Sequence, residues 1–412
     1  MFRKKFLSII VVLCILSTLF FGVNVLANYR ENNSRNNFFN NQEKSLEIHE
    51  KILTEYKEDN LDYFGGFFLD DEGVLNINLV EDNKQKAENN KQRNAKELVK
   101  GDNVKFHYVK HSLNTLNNTA NVLANEMLSL GINAVEVDEI NNAVIVYLDS
   151  LSKEVEIKNK IDSLSKEVEI KNKIDVSTVI FKETDSRLTI QKTYNVNVIN
   201  GEEMTFPIGG NQHFAYTIGF GARCNSTGNY GFLITGHGAY SSGDQIFYNG
   251  DHFATVRRKH FGGAVDAGFA ERVTNTWFWQ PTYRPTNSLQ GTDVCNTYAF
   301  SYSYPINTVI YCYGAVSRRR GGVILSNNYS FIADGVSMNN MVKSDYVAVI
   351  GDSGAPVVTR HLQDGIPAHN LIGLQSSSKR VLQCLHLKLT ERGNGFFFRK
   401  LTLHFLLHIT TY

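Results

Sequence analysis

The sequence predicts two folded regions, an α+β region in the N-terminal half and an all-β region of sandwich or barrel type in the C-terminal half. Two observations support this fold class. Up to about residue 196, stretches rich in Asn, Lys and Glu alternate with one helical segment and several strand-like runs. After that point Gly, Tyr, Phe, Thr and Ser dominate, and short apolar runs lie between turn residues, a pattern typical of antiparallel β-structure.

The composition is that of a globular protein. The chain has 412 residues, enough for two or three domains, and 42% of them are hydrophobic. The formal net charge of +1 gives no reason to expect a nucleic-acid partner. No His or Cys cluster has the spacing of metal ligands, so we expect no metal and no other cofactor.

The N-terminus has the pattern of an export signal. Basic residues at 3–5 precede an apolar run over 6–21, and Val25-Leu26-Ala27 offers small residues for cleavage. We therefore predict a signal peptide over residues 1–27 and a secreted protein. The alternative is an uncleaved anchor that would make the membrane a partner, although polar residues such as Ser17 weaken the run as a membrane helix.

Residues 28–196 contain the predicted α+β region. Tyr63 to Val80 has two strand-like runs around a turn and predicts a hairpin. Ser112 to Leu130 has apolar residues at helical spacing. The runs 134–137 and 143–147 predict two further strands around a pair of asparagines.

A tandem repeat occupies residues 150–175. Ser150 to Asp162 recurs letter for letter as Ser163 to Asp175. On a straight helix, a step of this length rotates the second copy by roughly 220°, so both copies cannot bury the same face. The hypothesis is that one copy loops out or extends a helix into solvent; a charged, solvated helix is the simpler interpretation.

The main chemical pattern is a serine between glycines, far downstream of a histidine. Ser353 lies in Gly351-Asp352-Ser353-Gly354-Ala355-Pro356, and His237 follows a buried-strand pattern and a turn. Asp266 lies inside the apolar run 262–270, where a carboxylate is costly unless it is paired. A buried carboxylate that orients an imidazole, and an imidazole that takes a hydroxyl proton, form a complete acyl-transfer assembly.

These residues resemble chymotrypsin-like serine proteases, in particular the bacterial branch of α-lytic protease and the streptogrisins. The resemblance spans roughly Phe214 to Ser378, and the order His, Asp, Ser along the chain also matches this family. It rests on the motifs Gly231-Phe-Leu-Ile-Thr-Gly-His237, Val265-Asp266-Ala-Gly-Phe-Ala270, Gly291-Thr-Asp-Val-Cys295 and Gly351-Asp-Ser353-Gly-Ala-Pro356.

The resemblance implies a fold and an activity. Residues 197–412 would form an all-β double β-barrel of the trypsin-like type, with His237, Asp266 and Ser353 as catalytic residues in the cleft between the barrels. Residues 28–196 resemble the pro-region of that branch, so the protein would be made as a zymogen and the pro-region would be its partner during folding. The expected function is that of a secreted serine endopeptidase acting on protein or peptide substrates.

Further roles follow from the same resemblance. The backbone N–H groups of Gly351 and Ser353 would form an oxyanion hole, and Asp352 would brace that loop. Ser376 would support the catalytic aspartate, and Ser376, Ser377 and Ser378 would bind substrate. No acidic residue lies at the expected base of the specificity pocket, which favours an apolar or small substrate side chain over Lys or Arg.

The sequence also departs from the family. Cys295 and Cys312 match a family disulfide, but Gly238 stands where the family has a cysteine directly after the histidine. Cys224 therefore lacks its usual partner. Cys384 also lacks an expected partner, because the cysteine that the family usually has just before the serine turn is absent from residues 347–350. From about Lys379 the resemblance ends, and we hypothesise a frameshift there; a divergent but genuine C-terminus is the alternative. A catalytically impaired protease-fold binding protein and a membrane-anchored protease are the alternatives.

Overall fold

The structure is a computed structural model. It describes residues 37–56, 62–81, 96–166, 174–183, 203–209, 212–219, 221–224, 226–239, 241–248, 250–273, 282–283, 293–295, 304–333, 335–349, 351–363, 366–376 and 402–403. The predicted signal peptide, the boundary near residue 196 and most of the tail from residue 379 lie outside these ranges. Among the described helices, none is long and apolar enough to cross a membrane.

The N-terminal region combines helices and strands, as expected. Its helices are α1 (37–56), α2 (Leu113–Asn125), α3 (Met127–Leu130) and α4 (Glu154–Leu164). Its strands are β1 (Phe64–Leu69), β2 (Leu75–Val80), β3 (Val104–Val109), β4 (Ala134–Asp138), β5 (Ala143–Leu148) and β6 (Val179–Glu183).

The C-terminal region consists of strands and turns in its described part. The strands are β7 (Glu203–Gly209), β8 (Gln212–Thr217), β9 (Gly221–Cys224), β10 (Tyr230–Ile234), β11 (Gln245–Tyr248), β12 (Asp251–Gly262), β13 (Val265–Arg272), β14 (Thr282–Tyr283), β15 (Asp293–Cys295), β16 (Val309–Gly314), β17 (Arg318–Ala333), β18 (Val336–Ser344), β19 (Pro356–Gln363), β20 (Ile366–Leu374) and β21 (Thr402–Leu403).

The predicted hairpin in the N-terminal region is confirmed. β1 and β2 pair antiparallel, and β3 joins β2 in parallel to give a three-stranded sheet. The turn between β1 and β2 contains Gly73 with a φ of 78°, a left-handed conformation that glycine adopts without strain. Ile52 and Leu53 of α1 pack with Phe64 and Leu75 of the sheet in one apolar core.

The predicted helix from Ser112 to Leu130 forms as two helices. The Ser112 hydroxyl accepts the Thr115 N–H at 3.1 Å and caps the start of α2. Glu126 then leaves helical geometry, with φ −102° and ψ 9°, and separates α2 from α3. Apolar spacing did not reveal this break, because residues of both helices bury into the same core.

The two strands predicted after this helix are confirmed as β4 and β5, which pair antiparallel. The first copy of the repeat forms a 3₁₀ turn and α4, with Ile157 and Ile161 buried. Residues 167–173 of the second copy lie outside the described residues. Ile174, which ends that copy with Asp175, packs into the same core as Ile161.

The described strands of the C-terminal region do not close into the two predicted barrels. One sheet has the order β21-β9-β10-β13-β12-β11-β7-β8, and the other has the order β14-β15-β20-β19-β16-β17-β4-β5-β6, with β18 also paired to β17. In the second sheet β17 also pairs with β4, so strands of the N-terminal region continue this sheet.

The junction between the two regions is partly polar. Tyr329 of β17 lies opposite Glu136 of β4. Glu136 accepts hydrogen bonds from Lys343 Nζ on β18 and from the Tyr147 hydroxyl, both at 2.6 Å. The Lys343 ammonium also lies 5.0 Å from the centre of the Tyr329 ring, so its charge is partnered on several sides.

A stripe of asparagines on α2 extends the same junction. Asn117, Asn121 and Asn125 recur every four residues and therefore share one face of the helix. Asn328 Nδ2 donates to Asn117 Oδ1 at 3.0 Å and to Asn121 Oδ1 at 3.3 Å, while Asn339 Nδ2 approaches Asn125 Oδ1 at 3.4 Å. The helix thus holds the β17–β18 hairpin by amide contacts.

Glu139 lies buried where the first sheet, β4 and the hairpin meet. It accepts the Phe67 N–H at 2.9 Å and the Asn327 side-chain N–H at 3.0 Å, and its own carbonyl accepts Asn78 Nδ2 at 2.8 Å. Burial raises the pKa of Glu139 to about 7, although the two hydrogen bonds to its carboxyl oppose the rise.

This pKa predicts a pH-dependent stability. A carboxyl whose pKa is raised on folding holds its proton more tightly in the folded protein, so its contribution is present at low pH and is lost as the pH rises through about 7. The free energy of unfolding of the parent protein should therefore fall by about 3 kcal/mol more between about pH 4 and pH 8 than that of Glu139→Gln. Urea denaturation at a series of pH values between about pH 4 and pH 8 measures this.

The matched control is Glu183→Gln, which changes an exposed carboxyl at the end of β6. The control should keep the slope of the unfolding free energy against pH. Equal slopes for Glu139→Gln and the parent protein would show that Glu139 does not titrate as described.

Candidate active site

His237 lies in the turn that follows β10. The turn packs so closely against β12 and β13 that a Cβ at Gly236 would lie 1.8 Å from the His260 carbonyl oxygen. Glycine is therefore required directly before His237. The histidine itself is buried, with a relative exposure of 8%.

Asp266 on β13 holds His237 by two hydrogen bonds. Its Oδ1 accepts the backbone N–H of His237 at 2.9 Å, and its Oδ2 lies 2.7 Å from His237 Nδ1. An ionised carboxylate can only accept, so Nδ1 donates to it. In the neutral ring, Nε2 is then the hydrogen-bond acceptor.

The Asp266 carboxyl is fully buried and nevertheless has a lowered pKa. Burial is the largest influence and would raise the pKa. The attraction to His237 and hydrogen bonds from its ring, from the Ser376 hydroxyl and from the His237 N–H together outweigh burial. Asp266 therefore stays ionised at neutral pH and fixes the orientation of the imidazole.

Ser353 completes the arrangement from the other sheet. It lies in the turn before β19, and its Oγ is 3.2 Å from His237 Nε2. The structure thus brings all three predicted catalytic residues together in one hydrogen-bonded relay, from a carboxylate through an imidazole to a hydroxyl. Such a relay can activate the hydroxyl as a nucleophile.

The turn before Ser353 depends on a glycine. Gly351 has a φ of 98°, a conformation that favours glycine. Among the backbone hydrogen bonds between described residues, none uses the N–H group of Gly351 or Ser353 as donor.

The side chain of Asp352 stabilises this turn by hydrogen bonds. Its buried carboxylate accepts the N–H groups of Val316 at 3.2 Å, Ser317 at 2.9 Å and Val349 at 2.8 Å. The close approach requires a glycine at 314, because a Cβ there would lie 2.0 Å from Asp352 Oδ1. Backbone N–H groups from two separate segments thus hold Asp352, the residue directly before the serine.

Ser376 is placed as the resemblance implies, because its hydroxyl donates to Asp266 Oδ2. It follows β20, so the second sheet contributes both to the serine turn and to the support of the aspartate. Ser377 and Ser378 lie outside the described residues.

Sequence reasoning missed two residues of the site. Thr217 at the end of β8 donates from Oγ1 to the Gly351 carbonyl and accepts the Ala315 N–H, both at 2.9 Å. The carbonyl of Gln375 accepts the N–H of Gly354 at 2.8 Å, which ties β20 to the serine turn. Neither residue type is distinctive in the sequence, so spacing carried no signal for them.

The cysteines lie apart from the site. Cys312 on β16 stands opposite Arg320 of β17. Two strands, β19 and β20, separate β16 from β15, which contains Cys295; three strand steps span roughly 14 Å, more than a disulfide bridges. The Cys295 side chain is not described, so the Cys295–Cys312 disulfide stays a prediction without support from the strand order.

Cys224 is half-buried on β9 and forms no disulfide with a described residue. Its thiol lies 3.2 Å from the Ser226 hydroxyl. Burial is the largest influence on its pKa and would raise it, but hydrogen bonds from Ser226 and Thr227 lower the pKa to about 7. Cys384 lies outside the described residues.

Among the residues that the structure describes, no three potential metal ligands come together.

No protein-family model matches the chain, and no curated protein is significantly similar to it. Among solved structures, the chain is similar to Thermobifida fusca Protease A, with 22% identity, 46% of this chain and 90% of that chain covered, and a TM-score of 0.36. It is also similar to the Nocardiopsis protease NAPase (20% identity, 44% and 90% covered, TM-score 0.35) and to Cellulomonas bogoriensis chymotrypsin (16%, 46% and 92%, TM-score 0.35). These neighbours are bacterial chymotrypsin-like serine proteases, the group that the sequence resembles.

The geometry around Asp352 predicts the effect of one added methyl group. Gly314→Ala would drive a Cβ into the Asp352 carboxylate and shift the serine turn, because the contact would be only 2.0 Å. We expect the rate at which a fluorophosphonate labels Ser353 to fall by roughly 10²-fold, as when an oxyanion donor is lost.

Gly321→Ala on the neighbouring strand is the matched control. A Cβ there would lie 3.1 Å from the edge of the Tyr311 ring, which can give way by a few tenths of an ångström. A labelling rate in Gly314→Ala equal to that of the control would show that Asp352 does not shape the turn.

Proposed function

We propose that the protein is a serine endopeptidase that hydrolyses peptide bonds through a triad of Ser353, His237 and Asp266. The single observation that carries the proposal is the relay of hydrogen bonds from Asp266 through His237 to Ser353, with lengths of 2.7 and 3.2 Å. The turn geometry at Gly351 supports it independently, since nucleophile and anion-binding donors lie within one loop.

In the first step, Ser353 Oγ attacks the carbonyl carbon of the substrate. The Oγ–H proton moves to His237 Nε2 while the Oγ–C bond forms, and the carbonyl oxygen becomes an oxyanion. The N–H groups of Gly351 and Ser353 donate to that oxyanion, each contributing about 3 kcal/mol to stabilisation of the transition state. Asp266 stabilises the imidazolium that forms.

In the second step, the peptide C–N bond breaks. The proton on His237 Nε2 passes to the leaving amine, and the acyl group remains on Ser353 as an ester. Water then attacks the ester carbon and gives a proton to Nε2, and the ester C–Oγ bond breaks to release the acid product. The proton finally returns to Ser353 Oγ, so the enzyme is regenerated.

An apolar substrate side chain fits the surroundings of the serine turn. Val347 and Val349 precede the turn and are 53% and 37% exposed, and Val316 beside Gly351 is 42% exposed. The carboxylate of Asp352, the residue before Ser353, is buried against backbone donors. We therefore propose apolar or small residues next to the scissile bond, and no preference for Lys or Arg.

We further propose that the chain is exported, and that the N-terminal region is a pro-region that assists folding and is then cleaved. Support comes from the pairing of β4 with β17 and from the contacts of Glu136 and Asn117 with the hairpin. These contacts fix the β17–β18 hairpin of the proposed protease region. The described contacts of the turn that contains Ser353 come instead from the C-terminal region itself.

The nucleophile assignment predicts a large loss of turnover. Ser353→Ala should lower kcat by about 10⁶-fold, because the acyl ester cannot form, and should abolish labelling by a fluorophosphonate probe. Turnover of a chromogenic peptide with an apolar residue before the scissile bond, measured beside the labelling, checks this.

Ser344→Ala is the matched control, since Ser344 is a buried serine on β18 without contact to His237. It should label like the wild type. A folded wild-type protein that the probe does not label would refute the enzyme and favour a protease-fold binding protein.

The zymogen proposal predicts two polypeptides from the wild type and one from the inactive variant. Intact-mass measurement of the product should find a fragment that begins near residue 197, whereas Ser353→Ala should retain the N-terminal region. A wild-type product that is active and still contains residues 28–196 would exclude removal of a pro-region.

A further inference from the structure

We infer that the dipeptide Tyr216-Thr217, at the end of β8, sets the distance between His237 and Ser353. The Tyr216 ring packs against the turn that contains His237 (the histidine turn), and Thr217 forms hydrogen bonds with the turn that contains Ser353 (the serine turn). Both are therefore positioning residues for the proton transfer. The inference rests on the proposed function, because it concerns the geometry of the same relay.

Tyr216 contacts the histidine turn through its ring. The ring atoms Cε1 and Cδ1 lie 3.1 and 3.2 Å from the point where a Cβ at Gly238 would stand. The ring also meets the imidazole of His237 in an edge-to-face contact, with centroids 6.0 Å apart and planes at 67°. Tyr216 is 1% exposed, so neither contact can relax into solvent.

Gly238 follows His237 directly and has no side chain to fill the space beside this turn. Here the missing side chain at 238 leaves room that the Tyr216 ring fills from the neighbouring strand end. A buried aromatic ring has few rotamers and many contacts, so it can restrain a turn without a covalent bond.

Thr217 contacts the serine turn through both its backbone and its side chain. Its N–H donates to the Ser353 carbonyl at 2.9 Å, and its Oγ1 donates to the Gly351 carbonyl at 2.9 Å. Its own carbonyl lies 2.2 Å from where a Cβ at Gly354 would be. The residue is therefore in contact with the turn on both sides of Ser353.

The two contacts are joined by a single peptide bond, which is planar and stiff. Consecutive Cα atoms stand about 3.8 Å apart across such a bond, so the histidine and serine turns are linked by a short rigid path. The two sheets, by contrast, could slide by fractions of an ångström through their apolar contacts. Proton transfer is sensitive to such shifts, since a misplacement of about 1 Å can lower the rate 10²-fold.

The experiment compares Tyr216→Leu with Tyr216→Phe, which keeps the ring. We expect Tyr216→Leu to lower kcat by about 10- to 100-fold with little change in KM, because the relay is misplaced while the substrate groove is kept. Tyr216→Phe should restore kcat to within about threefold of the wild type, since it retains both ring contacts.

Phe253→Leu is the matched control. Phe253 is 2% exposed and belongs to the same apolar core as Tyr216, but its ring contacts are with Phe232 and Tyr248. It should lose similar stability and keep kcat. All variants are assayed where near-ultraviolet circular dichroism shows them folded.

Coupling between Tyr216 and Gly238 gives a second, independent readout. Gly238→Ala adds a Cβ 3.1 Å from the ring and should lower kcat in the wild type. In a Tyr216→Leu or Tyr216→Val background, where the ring is absent, the same change should cost less, so the effects should not add.

The outcomes separate the two proposals. If the fluorophosphonate labels the wild type, and Tyr216→Leu lowers kcat no more than Phe253→Leu does, the positioning role is wrong and the enzyme stands. Additive effects of Gly238→Ala and Tyr216→Leu would overturn it in the same way. A folded wild type that is not labelled removes the enzyme, and the positioning role with it.

Discussion

The buried charge of Asp266 is the interaction on which the site depends. An isolated carboxylate costs several kcal/mol to bury, and here it is compensated by His237 and Ser376. The two partners come from different sheets: His237 follows β10 of the first, and Ser376 follows β20 of the second. The first sheet supplies two of the hydrogen bonds to the carboxylate and the second sheet supplies the third. Docking of the sheets therefore completes the support of Asp266 and brings Ser353 to His237.

A second buried carboxylate, Asp352, organises the serine turn in a different way. All its described hydrogen-bond donors are backbone N–H groups, so it orders main chain and leaves side chains free to differ. Three kinds of residue are constrained as a result. The relay needs its histidine and aspartate, position 314 needs a glycine because the Asp352 carboxylate lies against it, and position 351 favours a glycine because its φ is positive.

The sequence alone predicted the three residues of the relay and the strands next to them, because each of the three lies in a distinctive local pattern. Other features depended on partners distant in sequence. Nothing in the sequence distinguishes Thr217 from other strand residues; only the structure shows its hydrogen bond to the Gly351 carbonyl. The second sheet continues into the N-terminal region through the pairing of β17 with β4, which no local pattern encodes. The spacing of Asn117, Asn121 and Asn125 was visible, but their partners were not.

The N-terminal region reaches the relay through the β17–β18 hairpin. On one side the hairpin pairs with β4, and Ala134 shares an apolar cluster with Phe331 and Met338. Near its turn, the carbonyl of Ser337 accepts the Gly263 N–H at 2.9 Å, and Asn339 donates back to the Gly263 carbonyl at 2.7 Å. Gly263 lies in the turn that leads into β13 and Asp266. A region that orders the hairpin therefore also fixes the turn before the aspartate, which is the physical basis for proposing that it assists folding. The junction mixes this apolar cluster with amide contacts that water can replace, a composition compatible with the proposed removal of the N-terminal region.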